Sequence, residues 1–154
     1  MTRCRTQFPT IRRRPWRNRR VALRYLLDSD VCIYAMKRRP TRLLRRLDRF
    51  AHVTALSVVV YGELCFGRES SLRRDETAIH LSALLETLQV LPLPLDAGTR
   101  YGEIRADLER RGRPIGANDT WIAAHALAED LTLVTNNERE FARVQGLRIQ
   151  NWTR

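Results

Sequence analysis

Long apolar runs, cysteine pairs, glycine-rich loops and catalytic histidine patterns are all scarce in this chain of 154 residues. Each shortage removes a class of function. The best apolar run, residues 21–27, is short and interrupted by Arg24, so no segment is expected to span a bilayer. Three cysteines, Cys4, Cys32 and Cys65, share no metal-ligand spacing. An odd, scattered set points to a reducing cytoplasm and argues against a disulfide framework or a zinc site. Seven glycines form no phosphate-cradling loop, and three histidines join no Ser/His/Asp or Cys/His arrangement. His125 is expected to pack rather than react.

What is abundant is arginine, and it is unevenly spread. Residues 1–20 hold eight arginines and no acid, whereas the remaining 134 residues balance 20 basic against 17 acidic side chains. The first 22 residues lack helical or strand periodicity, have no apolar stretch after the arginines, and read as a flexible basic arm. Such an arm can bind nucleic acid. The domain pattern begins only at Arg24, which is also the expectation if translation starts near Val21 or Leu23. Residues 23–154 read as one domain, with 44% hydrophobic residues in the chain as a whole, enough for a real core.

Within that domain, short apolar strands are expected at 24–27, 53–56, 89–93, 132–135 and 147–151. Helices are expected at 30–37, 41–50, 58–68, 75–87, 96–110 and 119–129, with a short turn or helix at 139–144. Ser57 is a credible cap for the third helix and Asp96 for the fifth. Strands alternating with helices predict an α/β sandwich with a largely parallel sheet, whose sites form beyond the carboxyl ends of its strands.

Three acids sit inside apolar phrases: Asp28 in RYLLDSDVCIYAM, Glu63 in SVVVYGELCFG and Asp119 in RPIGANDTWIAAHAL. Carboxylates are costly to bury beside such neighbours unless a positive charge meets them. Asp28 ends the first strand and Asn137 follows the fourth, so both emerge at one sheet edge, which Glu63 and Asp119 can reach from their helices. Gathered carboxylates suit a hard divalent cation, Mg²⁺ or Mn²⁺, and that pairing points to metal-assisted hydrolysis of a phosphodiester. Each residue also has a plainer role. Asp28 or Asp119 can cap the helix that follows it, Glu63 can be a solvated helix residue, and Asn137 can be a turn residue. Arg110, Arg111 and Arg113 are placed to meet phosphates near Asp119. Arg42, Arg45, Arg46 and Arg49 form a helix face that is either solvated or grips a nucleic-acid backbone.

The phrases LLDSDVCIYAM, SVVVYGELCFG and RPIGANDTWIAAHALAEDLTLVTNNEREFARVQGLRIQNW, taken in order, resemble PIN-domain ribonucleases of the VapC toxin type over residues 24–152. The resemblance implies a PIN-like three-layer α/β/α sandwich around a mostly parallel sheet of four to five strands. It implies Mg²⁺- or Mn²⁺-dependent endoribonuclease activity, with RNA as substrate, a cognate antitoxin as neutralising partner and a homodimeric toxin. It matches Asp28, Glu63 and Asp119 to the family's metal-site acids, catalytic as well as metal-binding. In TNNEREF, where members often carry a fourth acid, it finds Asn137, a weaker ligand. Asp30 stands where many members have Asn and adds a charge beside the site. An alternative is a non-catalytic RNA-binding PIN domain. A phosphorelay receiver is set aside, because the only lysine is Lys37 and no acid ends the second strand.

Overall fold

A computed structural model describes residues 22–154 apart from residue 39. The expected arginine-rich arm therefore lies outside the described residues. Five short strands, β1 (Tyr25–Leu27), β2 (Thr54–Ser57), β3 (Gln89–Leu91), β4 (Thr132–Val134) and β5 (Ile149–Gln150), form one parallel sheet in the order β3-β2-β1-β4-β5. β1 and β2 are buried throughout, and the polar residues among them, Thr54 and Ser57, have hydrogen-bond partners. A strand covered by helices on both faces must read this way, because neither of its sides meets water.

The helices are α1 (Ser29–Met36), α2 (Thr41–Phe50), α3 (Val58–Glu69), α4 (Arg74–Thr87), α5 (Leu95–Arg110), α6 (Ala117–Ala128) and the single turn α7 (Glu138–Phe141). From β1 through β2 to β3 the chain steps outward on one side, and the β3-to-β4 connection returns past β1. Right-handed crossovers then put α1–α4 on one face of the sheet and α5–α6 on the other. The packing agrees: α1, α3 and α4 touch one another, and α5 lies along α6. This is the expected three-layer α/β/α sandwich with five strands.

Local chemistry explains most boundaries. The β-branched run Val58–Val60 is helical because Ser57 Oγ accepts the Val59 N–H at 3.2 Å and caps α3, as expected. In α2, Leu43 and Leu47 are buried while Arg42, Arg45 and Arg49 face solvent. Two cap expectations are corrected. Pro94, not Asp96, occupies the cap position of α5, and Asp96 sits in the first turn, where a negative charge suits the helix dipole. The helix bearing Asp119 starts two residues earlier than expected, at Ala117 after Gly116, with the Thr120 N–H donating to the Gly116 carbonyl at 2.9 Å. Asp119 thus lies inside the first turn and does not cap it. Near the carboxyl end of the chain, Trp152 is fully buried and packs edge-on to Tyr25 at 4.9 Å between ring centroids, with Phe50 beside both. These rings hold the last segment against the core.

Candidate active site

The strand order reverses direction at β1, which has β2 on one side and β4 on the other, and the carboxyl ends of β1 and β4 open a crevice there. Asp28 is the first residue past β1. It is only 4% exposed and fully committed: Oδ1 accepts the Ser29 N–H at 2.7 Å, and Oδ2 accepts the Thr135 hydroxyl at 2.7 Å. The plainer role is thus present as well, since Asp28 is the residue that caps α1. Burial pushes its carboxyl up to about 7, and the negative charges of Asp30 and Asp119 add to that, against the two hydrogen bonds.

Four further acids surround this point. Asp119, in the first turn of α6, is pushed up to about 6 by burial and then by the charges of Glu140 and Glu63. Its carboxyl lies beside that of Glu140, whose negative charge disfavours its ionisation. Gly116 lies against it, close enough that a Cβ there would just touch Asp119 Oδ2. Asp30, in the first turn of α1, is raised by burial, and its Oδ2 accepts the Asn136 N–H at 3.3 Å. Glu63 projects from α3, and its Oε1 accepts the Asn118 amide at 2.8 Å. Two carboxylate oxygens here, Asp30 Oδ1 and Glu63 Oε2, are buried without a protein partner. Every ion pair described lies elsewhere in the molecule; none touches these five acids.

The crevice therefore brings Asp28, Glu63 and Asp119 into one electrostatic neighbourhood and adds two acids. Glu140 was assigned no role from sequence, where it sits in the charged turn EREF; the only signal was the apolar Phe141 that follows it. Asn137 lies at the start of α7, its N–H donating to Thr135 Oγ1 at 2.9 Å, and its side chain forms no cap. Among the described residues no three acidic, histidine or cysteine side chains are already gathered closely enough to hold an ion. The donor set nevertheless fits a hard cation: oxygen groups only, two of them orphaned, none neutralised by arginine.

Other expectations change. Arg110 and Arg111 pair with Asp107, at 3.7 and 2.5 Å, and Arg111 also donates to the Arg143 carbonyl at 2.7 Å, so Arg111 is tied into the protein rather than free for phosphate. Arg143 in turn donates to the Pro114 carbonyl at 3.0 Å, which fastens the loop before α6 to the segment after α7. His125 is fully buried and packs, as expected, but with its Nδ1 2.9 Å from Ser57 Oγ. Burial holds the imidazole below its usual range, so it is neutral at pH 7.

Beside the acids runs an apolar groove of about 1340 Å³ between α1, α3 and α4. Ile33, Met36, Phe66 and Leu72 line it, and it reaches Glu63 and Asn118. Phe66 is 73% exposed, an unusual position for so large an apolar ring.

The PIN domain family model matches residues 25–147. The chain is 37% identical over 130 residues to "Ribonuclease VapC2" of Rickettsia felis, covering 83% of this chain and 97% of that one. It is 37% identical over 131 residues to "tRNA(fMet)-specific endonuclease VapC" of Shigella flexneri, covering 85% and 99%. Among solved structures it is similar to VapBC2 from Rickettsia felis bound to a DNA fragment from its promoter, with a TM-score of 0.80, 36% identity and coverage of 84% and 99%. It also resembles VapBC-5 of Mycobacterium tuberculosis, a member of the VapBC family of toxin-antitoxin systems, at a TM-score of 0.62 and 26% identity over 84% and 97%.

Proposed function

The chain belongs to the PIN-domain family and to its VapC ribonucleases, and on that footing we propose that its acidic crevice is a Mg²⁺- or Mn²⁺-dependent RNA-cleaving centre and the chain the toxin of a toxin–antitoxin pair. The observation that carries this reading is the set of buried, unneutralised carboxylates at the carboxyl ends of β1 and β4, with Asp30 Oδ1 and Glu63 Oε2 unpartnered. Asp28 and Asp119 hold the cation directly, Glu63 and Glu140 complete the carboxylate set, and Asn137 is a weaker, uncharged ligand. When bound, the cation makes a water molecule more acidic and stabilises charge developing on a phosphate oxygen.

The chain's own residues do the positioning. Ser29 and Thr135 fix both oxygens of Asp28, so that carboxylate does not rotate away from the crevice. Asn118 holds one oxygen of Glu63 and leaves the other free to orient the attacking water and receive its proton. The leaving oxygen needs a proton in turn, which the Glu63 carboxyl, once protonated, can return.

The substrate is RNA, and the name of the Shigella flexneri relative supports a tRNA. The partner is a cognate antitoxin, which the resemblance to VapBC assemblies supports. Its seat is the α1–α3–α4 groove, where an apolar segment would cover Phe66 and end beside Glu63. A homodimer and a cytoplasmic location complete the reading. Among the described residues, no helix is long and apolar enough to cross a membrane.

The test is cleavage of purified tRNA by the full chain. Cutting with Mn²⁺, none in EDTA, and none by a folded Asp119→Asn variant are expected. RNA binding without cutting even when Mn²⁺ is present would establish the non-catalytic RNA-binding alternative instead.

A further inference from the structure

Asp30 is the acid of the crevice to which the proposed cation site assigns no role, and its surroundings do not suit an ordinary helix residue. It is the second residue of α1, a position where a carboxylate is commonly explained by the helix dipole alone. A dipole role leaves the carboxylate in water. Here the side chain is half-buried and turned from the end of β1 toward the segment after β4, where Oδ2 accepts the Asn136 N–H at 3.3 Å. Its Oδ1 is buried and makes no close hydrogen bond, although the Val31 N–H and Asn136 lie near enough to the carboxyl to favour its charge. No arginine or lysine pairs with it among the described residues. It lies near Asp28 and Asp119, so the three carboxylates share one neighbourhood. Without a cation, no positive charge offsets the repulsion among these neighbouring carboxylates.

We propose that Asp30 is a further carboxylate of the cation site, held by the Asn136 backbone so that its free oxygen faces the bound cation or a water in the cation's shell. This rests on the metal-dependent reading of the crevice given above. The substitution Asp30→Asn separates the roles, because it keeps the shape and the acceptor for Asn136 but removes the charge. If Asp30 serves only the helix dipole, losing the charge lowers stability without metal and leaves cation binding alone. If it serves the cation, losing the charge relieves repulsion without metal and weakens binding.

Two measurements on the purified full chain decide between these: Mn²⁺ titration by calorimetry, and thermal denaturation in EDTA. The expected result for Asp30→Asn is Mn²⁺ affinity weakened by roughly tenfold or more, with a midpoint in EDTA equal to or above that of the wild type. Unchanged Mn²⁺ affinity overturns the proposal, and so does a weakened affinity accompanied by a lowered midpoint in EDTA, which marks damage to α1. A wild-type chain that binds no Mn²⁺ removes the metal reading itself, whereas equal binding by wild type and variant removes only the role of Asp30.

Discussion

Replacing Asp28 with Asn has opposite consequences for stability and for activity, and the size of the first follows from burial. In the metal-free protein the Asp28 carboxyl titrates at about 7, against 3.8 when unperturbed. An acid whose folded value is raised costs nothing below its unfolded value. The cost grows as pH rises between the two, and is complete above the folded one. Here the window runs from pH 3.8 to about 7. A separation of about three pH units corresponds to about 4 kcal/mol at pH 8. Asn avoids that cost but fits the Ser29 and Thr135 donors less well, a loss of about 1 kcal/mol. Asp28→Asn is therefore expected to be more stable than the wild type by about 2–3 kcal/mol at pH 8 in EDTA, and equal or slightly less stable at pH 4, while cleaving no RNA. Urea denaturation followed by circular dichroism across pH 4–8 measures this. With Mn²⁺ at about 100 times its dissociation constant the wild type gains about 2.7 kcal/mol, and the variant does not. Stabilities that run parallel across the pH range, or a variant less stable at pH 8 in EDTA, would refute the reasoning.

Three further outcomes are expected. Ser57→Ala removes the α3 cap and the only polar partner of the buried His125 among the described residues, and should cost about 1–2 kcal/mol by urea denaturation; a loss below about 0.5 kcal/mol would contradict the cap's role. Asn118→Ala releases Glu63 Oε1 and should slow RNA cleavage roughly tenfold with the thermal midpoint unchanged, so a wild-type rate would show that Glu63 needs no such hold. Phe66→Arg places a charge in the exposed groove and should abolish binding of the cognate antitoxin while tRNA cleavage persists; antitoxin binding at wild-type affinity would move the seat elsewhere.

Much of this arrangement is legible in the chain because burial leaves a mark on sequence. Residues 25–27 are apolar on both faces, which only an interior parallel strand tolerates, and the acid that follows them announces itself by contrast. Ser57 before a β-branched run gives a helix start that propensity alone would have hidden. What stays hidden is long-range. The order β3-β2-β1-β4-β5 decides that Asp28 and Thr135 are neighbours, 107 positions apart in the chain, and nothing local encodes it. Glu140 was missed for the same reason: within EREF it looks like one more solvated charge, and only the placement of α7 beside the start of α6 turns it toward Asp119. The single-residue cap assignments failed where a proline or glycine took the position, as at Pro94 and Gly116.

The most direct test of the central claim is anomalous diffraction from crystals of the chain soaked in Mn²⁺. A peak is expected in the crevice beyond β1 and β4, within coordination distance of Asp28 and Asp119 and bordered by Asp30, Glu63 and Glu140. Crystals that show Mn²⁺ elsewhere, or none in that crevice under conditions where the protein cuts RNA, would contradict it.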